Sequence, residues 1–168
     1  MAYQDNFQHA DDVIAHLSAL VLSLQDPLLR IKYVGFVSVA AVTVYEMAIK
    51  SIFIEFATKK HHIVKSLTKK YFERINGRIG AASIKDDYVS MFGQRYLLRY
   101  KKKLAANKAA YLKKNHRDFV NSYNNLITWR NAFSHQGELS TTVTFDEVVQ
   151  AYEDGKEMVR CLAESMVR

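Results

Sequence analysis

Residues 28–60, LLRIKYVGFVSVAAVTVYEMAIKSIFIEFATKK, decide the fold. The pattern is helical throughout and apolar nearly all round as far as Tyr45, as expected of a helix packed against several others. Such a segment is the axis of a bundle. Its longest apolar run, Val34 to Tyr45, is followed by Glu46, Lys50 and Glu55. It falls short of the roughly 20 residues that span a bilayer. The reading is therefore a buried central helix, with no membrane partner.

Working outward, residues 7–24 repeat Val13, Leu17, Leu20, Val21 and Leu24 at three- and four-residue steps, the mark of a first amphipathic helix. Pro27 separates it from the axis. Residues 63–75 read as a third, basic helix, and Asn76-Gly77-Arg78-Ile79-Gly80 as a loop. No strand precedes those glycines and no Lys-Ser or Lys-Thr pair follows, so they form no phosphate-cradling P-loop. A fourth helix begins near Ser83, a fifth covers about 115–134, and the last opens at Thr144-Phe145-Asp146-Glu147, a capping box. The chain has 168 residues, one proline, six glycines, and is 49% hydrophobic and 24% charged. Those values describe a folded, helix-rich chain rather than a disordered one. The expectation is an all-α, single-domain helical bundle of five to six helices over residues 1–168, with a long central apolar helix.

Cys161 is the one cysteine, which excludes an internal disulfide and a cysteine metal cluster and suits a reducing cytosol. Asp5, Asp11 and Asp12 interrupt the first turns where a secretory signal would be basic and then apolar. A cytoplasmic location is expected. The adjacent His61 and His62 point about 100° apart on a helix, which is poor geometry for sharing a metal, so no metal or cofactor is expected.

The net charge of +7 is unevenly spread. Residues 59–117 hold 17 Lys or Arg against Glu73, Asp86 and Asp87, a local balance of +14, and the remainder of the chain carries −7. This asymmetry is the footprint of a protein that meets a polyanion on one side, although lysine-rich helix faces also serve solubility. Within it, Tyr88, Phe92, Tyr96, Leu97 and Tyr100 alternate with Arg95, Arg99, Lys101, Lys102 and Lys103. The five cations are candidate RNA-binding residues; the aromatics are candidate base-stacking groups that helical spacing equally assigns to a core.

Candidate chemistry lies in Trp129-Arg130-Asn131-Ala132-Phe133-Ser134-His135-Gln136-Gly137. Arg130 presents a permanently charged fork matched to phosphate oxygens, and His135 is a side chain that exchanges protons near neutral pH. Gly137 is placed to end the helix in a left-handed conformation, leaving His135 in a last turn that suits a cation. Asn131 and His135 are four apart, so the amide can fix the imidazole ring. Glu46, entering a mainly apolar helix and paired with Lys50 at i+4, is a candidate for orienting the Arg or His.

The Arg130-Asn131-Ala132-Phe133-Ser134-His135 segment resembles the signature of the HEPN domains, small helical bundles named for nucleotide binding in higher eukaryotes and prokaryotes. That signature is Arg, four to six residues, then His, commonly with a polar residue after the Arg. The resemblance implies a metal-independent endoribonuclease whose site, formed at a homodimer interface, brings Arg130 and His135 of two protomers onto one RNA phosphate, with Asn131 catalytic beside them. It implies RNA partners such as tRNA, mRNA or other single-stranded loops, a toxin or antiviral defence role, and an antitoxin or sensor as regulator. Gln136 and Gly137 stand where many toxin members carry a Tyr two residues after the His, which argues against control by nucleotidyltransferase antitoxins. Two other readings stay open: a HEPN-like dimeric module that binds RNA or protein without cutting, and a DNA-binding regulator, for which a tight helix-turn-helix is lacking.

Overall fold

The computed structural model describes residues 3–137 and 142–167. Among them there are seven α-helices and no strand: α1 Gln8–Ser23, α2 Pro27–Thr58, α3 His62–Phe72, α4 Ala81–Ser83, α5 Gln94–Asn115, α6 Phe119–Gln136 and α7 Phe145–Ser165. The all-α bundle is as expected, but the helix number exceeds the expected five to six. The surplus arises at 81–115. There the single expected fourth helix is a one-turn α4, a π-helical turn Ile84–Val89 and a 3-10 turn Ser90–Phe92, ended by Gly93 at φ +101°, before α5 starts. A glycine so close to the middle of an aromatic run breaks the helix because it alone adopts that backbone cheaply.

Other boundaries also moved. α5 runs on to Asn115, where His116 in the left-handed region ends it, and α6 starts at Phe119 rather than near 115 because Asp118 caps the Val120 and Asn121 amides. Pro27 opens α2 at N1 behind an Asp26 cap that accepts from the Leu28 amide at 2.8 Å. The expected capping box of α7 is present, with Thr144 and Glu147 bonded reciprocally. On α1, Leu17 and Val21 face inward, whereas Leu20 is exposed.

α2 packs against α1, α3, α6 and α7, which is why its sequence is apolar on all sides. At 32 residues it is long and apolar enough to cross a membrane, unlike the shorter run counted from sequence, but over half of that apolar window is buried in the bundle. At its centre Tyr45 stacks between Tyr123 of α6 and Tyr152 of α7, at ring separations of 5.3 and 5.6 Å. Its hydroxyl donates to the Tyr152 carbonyl, satisfying the one polar atom of a fully buried ring. Gly155 makes this possible: a Cβ there would stand 2.5 Å from the Tyr45 oxygen. Higher on α2, Gly35 lets α6 approach, since a Cβ would fall within 2.5 Å of three Phe133 ring atoms. The segment carrying Arg130 and His135 is thus pinned to the axis.

Candidate functional site

Gly137 ends α6 as expected, at φ +69° with its amide bonded to the Phe133 carbonyl at 2.9 Å. His135 sits in the last turn and is exposed, as is Asn131 one turn earlier. Among the described residues no hydrogen bond joins the two side chains. The fixing of the imidazole by the amide, expected from their spacing, is not formed.

Arg130 points the other way. It and Ser134, one turn apart on α6, line a cavity of about 420 Å³ with Val39, Thr43, Glu46 and Met47 of α2 and the Asn76-Gly77 turn. His135 lies about 100° further round the helix than Ser134 and is not in that lining. The Arg130 Nη2 donates to the Gly77 carbonyl at 2.9 Å, and its buried Nε has no hydrogen-bond partner. Among the described residues no carboxylate lies within ion-pair distance of the guanidinium. Glu46, the nearby acid, is engaged elsewhere: Oε1 accepts from Lys50 Nζ at 2.7 Å and Oε2 from the Gly77 amide at 2.5 Å. Gly77 is therefore gripped at both ends, its N–H by Glu46 and its C=O by Arg130. Glu46, expected to orient the Arg or the His, makes no direct bond to either among the described residues and is linked to Arg130 only through the Gly77 peptide.

A guanidinium that faces a cavity, with no carboxylate in ion-pair range among the described residues, has the chemistry to accept an anion, because a half-buried cation without a counter-charge gains by meeting one. The sequence matches the family described as RiboL-PSP-HEPN over residues 5–168. This chain belongs to the HEPN family. Comparison with curated proteins and with solved structures returned no match. Membership supports, in general terms, a nuclease or RNA-related module.

The turn that holds Arg130 in this HEPN domain is itself clamped. Tyr88 donates its hydroxyl to the Arg78 carbonyl, Tyr123 donates to the Ile79 carbonyl at 2.6 Å, and the Asn124 amide oxygen accepts from the Ala81 N–H. Burial, with smaller contributions from Tyr71 and Asp87, pushes the Tyr88 phenol up to about 12, so it remains a donor at all physiological pH values. Ile75 and Ile79 are buried on either side. Gly77 has φ +75°, and a Cβ there would come within 2.5 Å of Nη2 and 2.8 Å of Nη1 of Arg130. Gly77→Ala is therefore expected to displace the guanidinium and break its bond to the residue 77 carbonyl, which a crystal structure of the variant would show. Gly93→Ala is the control: it strains another positive-φ site with open space around it, and it is expected to leave Arg130 in place.

The five cations proposed from α5 divide. Arg99 donates to the Val167 carbonyl at 2.7 Å and Lys103 pairs with Glu164 at 2.6 Å, so both tie α5 to the end of α7. Arg95, Lys101 and Lys102 are exposed with no carboxylate within 4.0 Å among the described residues. The interleaved aromatics belong to the core rather than to a stacking surface: Tyr88 and Tyr100 are buried, Phe92 stacks on Phe53, and Tyr96 meets Phe56 edge to face. Cys161 is buried, which pushes its thiol up and makes it unreactive. His61 caps α3 through its ring Nδ1, which accepts from the Ile63 amide. Among the described residues no group of three His, Cys, Asp or Glu side chains is arranged to hold a metal.

Proposed function

We propose that this HEPN domain is a metal-independent endoribonuclease acting as a toxin or defence effector, with Arg130 and His135 of two protomers completing one site. The observation that carries the reading is the Arg130 guanidinium, held by a backbone carbonyl, lining a cavity and without a carboxylate in ion-pair distance among the described residues. A single chain offers the Arg and the His on different sides of α6. A second copy supplies its exposed His135 to the first copy's cavity, over the exposed Met47 that lines it on α2. Asn131, exposed beside His135, is free to hold RNA or the imidazole once the dimer forms.

In this reaction the RNA 2′-hydroxyl attacks the adjacent phosphorus, forming the 2′-O–P bond as the P–O5′ bond breaks. His135 moves the proton and Arg130 stabilises the charge on the non-bridging oxygens. The products are a 2′,3′-cyclic phosphate and a 5′-hydroxyl. The test is incubation of purified protein with total RNA and tRNA, mapping cleavage positions for the parent and for Arg130→Ala. The expected result is discrete cuts that vanish in the variant. Tight binding with intact RNA in both proteins would instead favour a non-catalytic module, the reading to which the separation of Arg130 from His135 within one chain also lends itself.

A further inference from the structure

The Asn76–Gly80 turn that holds Arg130 has a second face. There Lys70 and Tyr71 of α3, Arg74, Arg78, Asp87 and Tyr88 line a cleft of about 630 Å³, within the range of sites that take a small ligand. Lys70, Arg74 and Arg78 are all exposed, and among the described residues none has a carboxylate within 4.0 Å. Asp87 is the one acid in the lining, so the cleft is net cationic. Tyr71 is 42% exposed, and its ring is braced edge to face by Phe72 and Tyr88 at 5.4 and 6.2 Å. The cleft thus combines three uncommitted cations with a supported aromatic face. It differs from the α5 surface, where two of five cations are committed to α7 and the aromatics are in the core.

We propose that this cleft is the subsite that holds single-stranded RNA next to the phosphate bound by Arg130. The inference rests on the ribonuclease reading for its neighbour but not for its own chemistry. A single strand offers what the cleft lacks: a phosphate at every nucleotide for Lys70, Arg74 and Arg78, and a free base face for Tyr71. Continuity supplies the path. Arg78 follows Gly77 directly, and its carbonyl is fixed by Tyr88 while the Gly77 carbonyl is fixed by Arg130, so one rigid turn joins cleft to cavity. A duplex, with its bases stacked inside, cannot use Tyr71 in this way.

The test is the affinity of His135→Ala protein for a labelled RNA single strand of about 12 nucleotides, read by fluorescence anisotropy over a salt series. Arg74→Ala/Arg78→Ala is expected to weaken binding about tenfold and to reduce the slope of log K against log salt by about 1.4, two phosphate contacts' worth. Tyr71→Ala is expected to weaken single-strand binding by about tenfold with the slope unchanged, and to leave duplex RNA binding alone. Lys113→Ala/Lys114→Ala, a charge-matched pair at the far end of α5, is expected to stay within about twofold of the parent. The proposal is overturned if Arg74→Ala/Arg78→Ala binds like the parent, or if the Lys113/Lys114 pair loses as much. Cleavage of tRNA, measured alongside, separates the two readings. A parent that cuts nothing, with binding lost in the Arg74/Arg78 variant, removes the ribonuclease and leaves the cleft. A double variant that binds like His135→Ala protein in that background and, with His135 intact, cuts like the parent removes the cleft and leaves the ribonuclease.

Discussion

Replacing His135 by alanine is expected to slow RNA cleavage by about 10²–10⁴-fold, the usual contribution of one positioned acid–base group. The fold should barely notice. His135 is exposed in the last turn of α6 and makes no side-chain hydrogen bond among the described residues, so its loss falls in the class of surface changes worth about 0.5 kcal/mol or less. A melting temperature within about 2 °C of the parent, beside a rate lost by orders of magnitude, is the pattern of a group that acts on substrate. Arg130→Ala should lose a similar factor in rate, but with a structural cost. It removes the donor to the Gly77 carbonyl and empties the space against which that turn is packed. Comparing the two variants separates chemistry from architecture, because a loss that tracked only stability would affect Arg130→Ala and spare His135→Ala.

The largest effect on stability is expected at Asp154. Its carboxylate, buried on α7, accepts from Arg117 Nε at 3.0 Å, Tyr111 Oη at 2.7 Å, Ser122 Oγ at 3.0 Å and Gln150 Nε2 at 3.0 Å. These donors come from α5, the α5–α6 connection, α6 and α7, so one acid ties three helices. Asp154→Ala leaves the partners without their acceptor and is expected to cost about 3 kcal/mol. For a chain of this size that corresponds to a melting temperature lowered by about 6–12 °C. The same group makes a pH prediction. Burial pushes the Asp154 carboxyl up, but the bonds from Arg117, Tyr111, Ser122 and Gln150 outweigh it and hold it below the ordinary carboxylate range. A carboxyl lowered in the folded state contributes stability above its unfolded value of about 3.9 and loses it as the pH falls through the lower folded value. Urea unfolding of the parent should therefore show an acid decline below about pH 4 that is shallower in Asp154→Asn. An equal decline in both proteins would assign the acid sensitivity to other carboxylates.

The axis helix, the capping box at Thr144 and the Gly137 stop were legible because each is a local pattern: all-round apolarity, an S/T-x-x-E spacing, a glycine after the last periodic residue. The break at Gly93 was not, because the aromatic spacing runs through it and only the backbone angle marks it. Similarly, the Lys and Arg count of the middle third gave the sign of the surface but not which cations are committed. Arg99 and Lys103 are taken by α7, more than 60 positions away in sequence. At the candidate site, Arg130 and His135 were proposed from their chemistry and spacing, and Glu46 from its charge in an apolar helix. Gly77 was missed. Its role depends on contacts with residues 31 and 53 positions away, and the one available signal was a glycine in a short polar loop, read there as a turn and nothing more.

The most direct test of an Arg130–His135 ribonuclease is cleavage of tRNA in excess chelator, with the new ends identified chemically. The predicted result is cutting undiminished by the chelator, with 2′,3′-cyclic phosphate and 5′-hydroxyl ends that are absent from His135→Ala reactions. Cleavage that stops when divalent metal is removed, or that continues at the parent rate in His135→Ala, would contradict it.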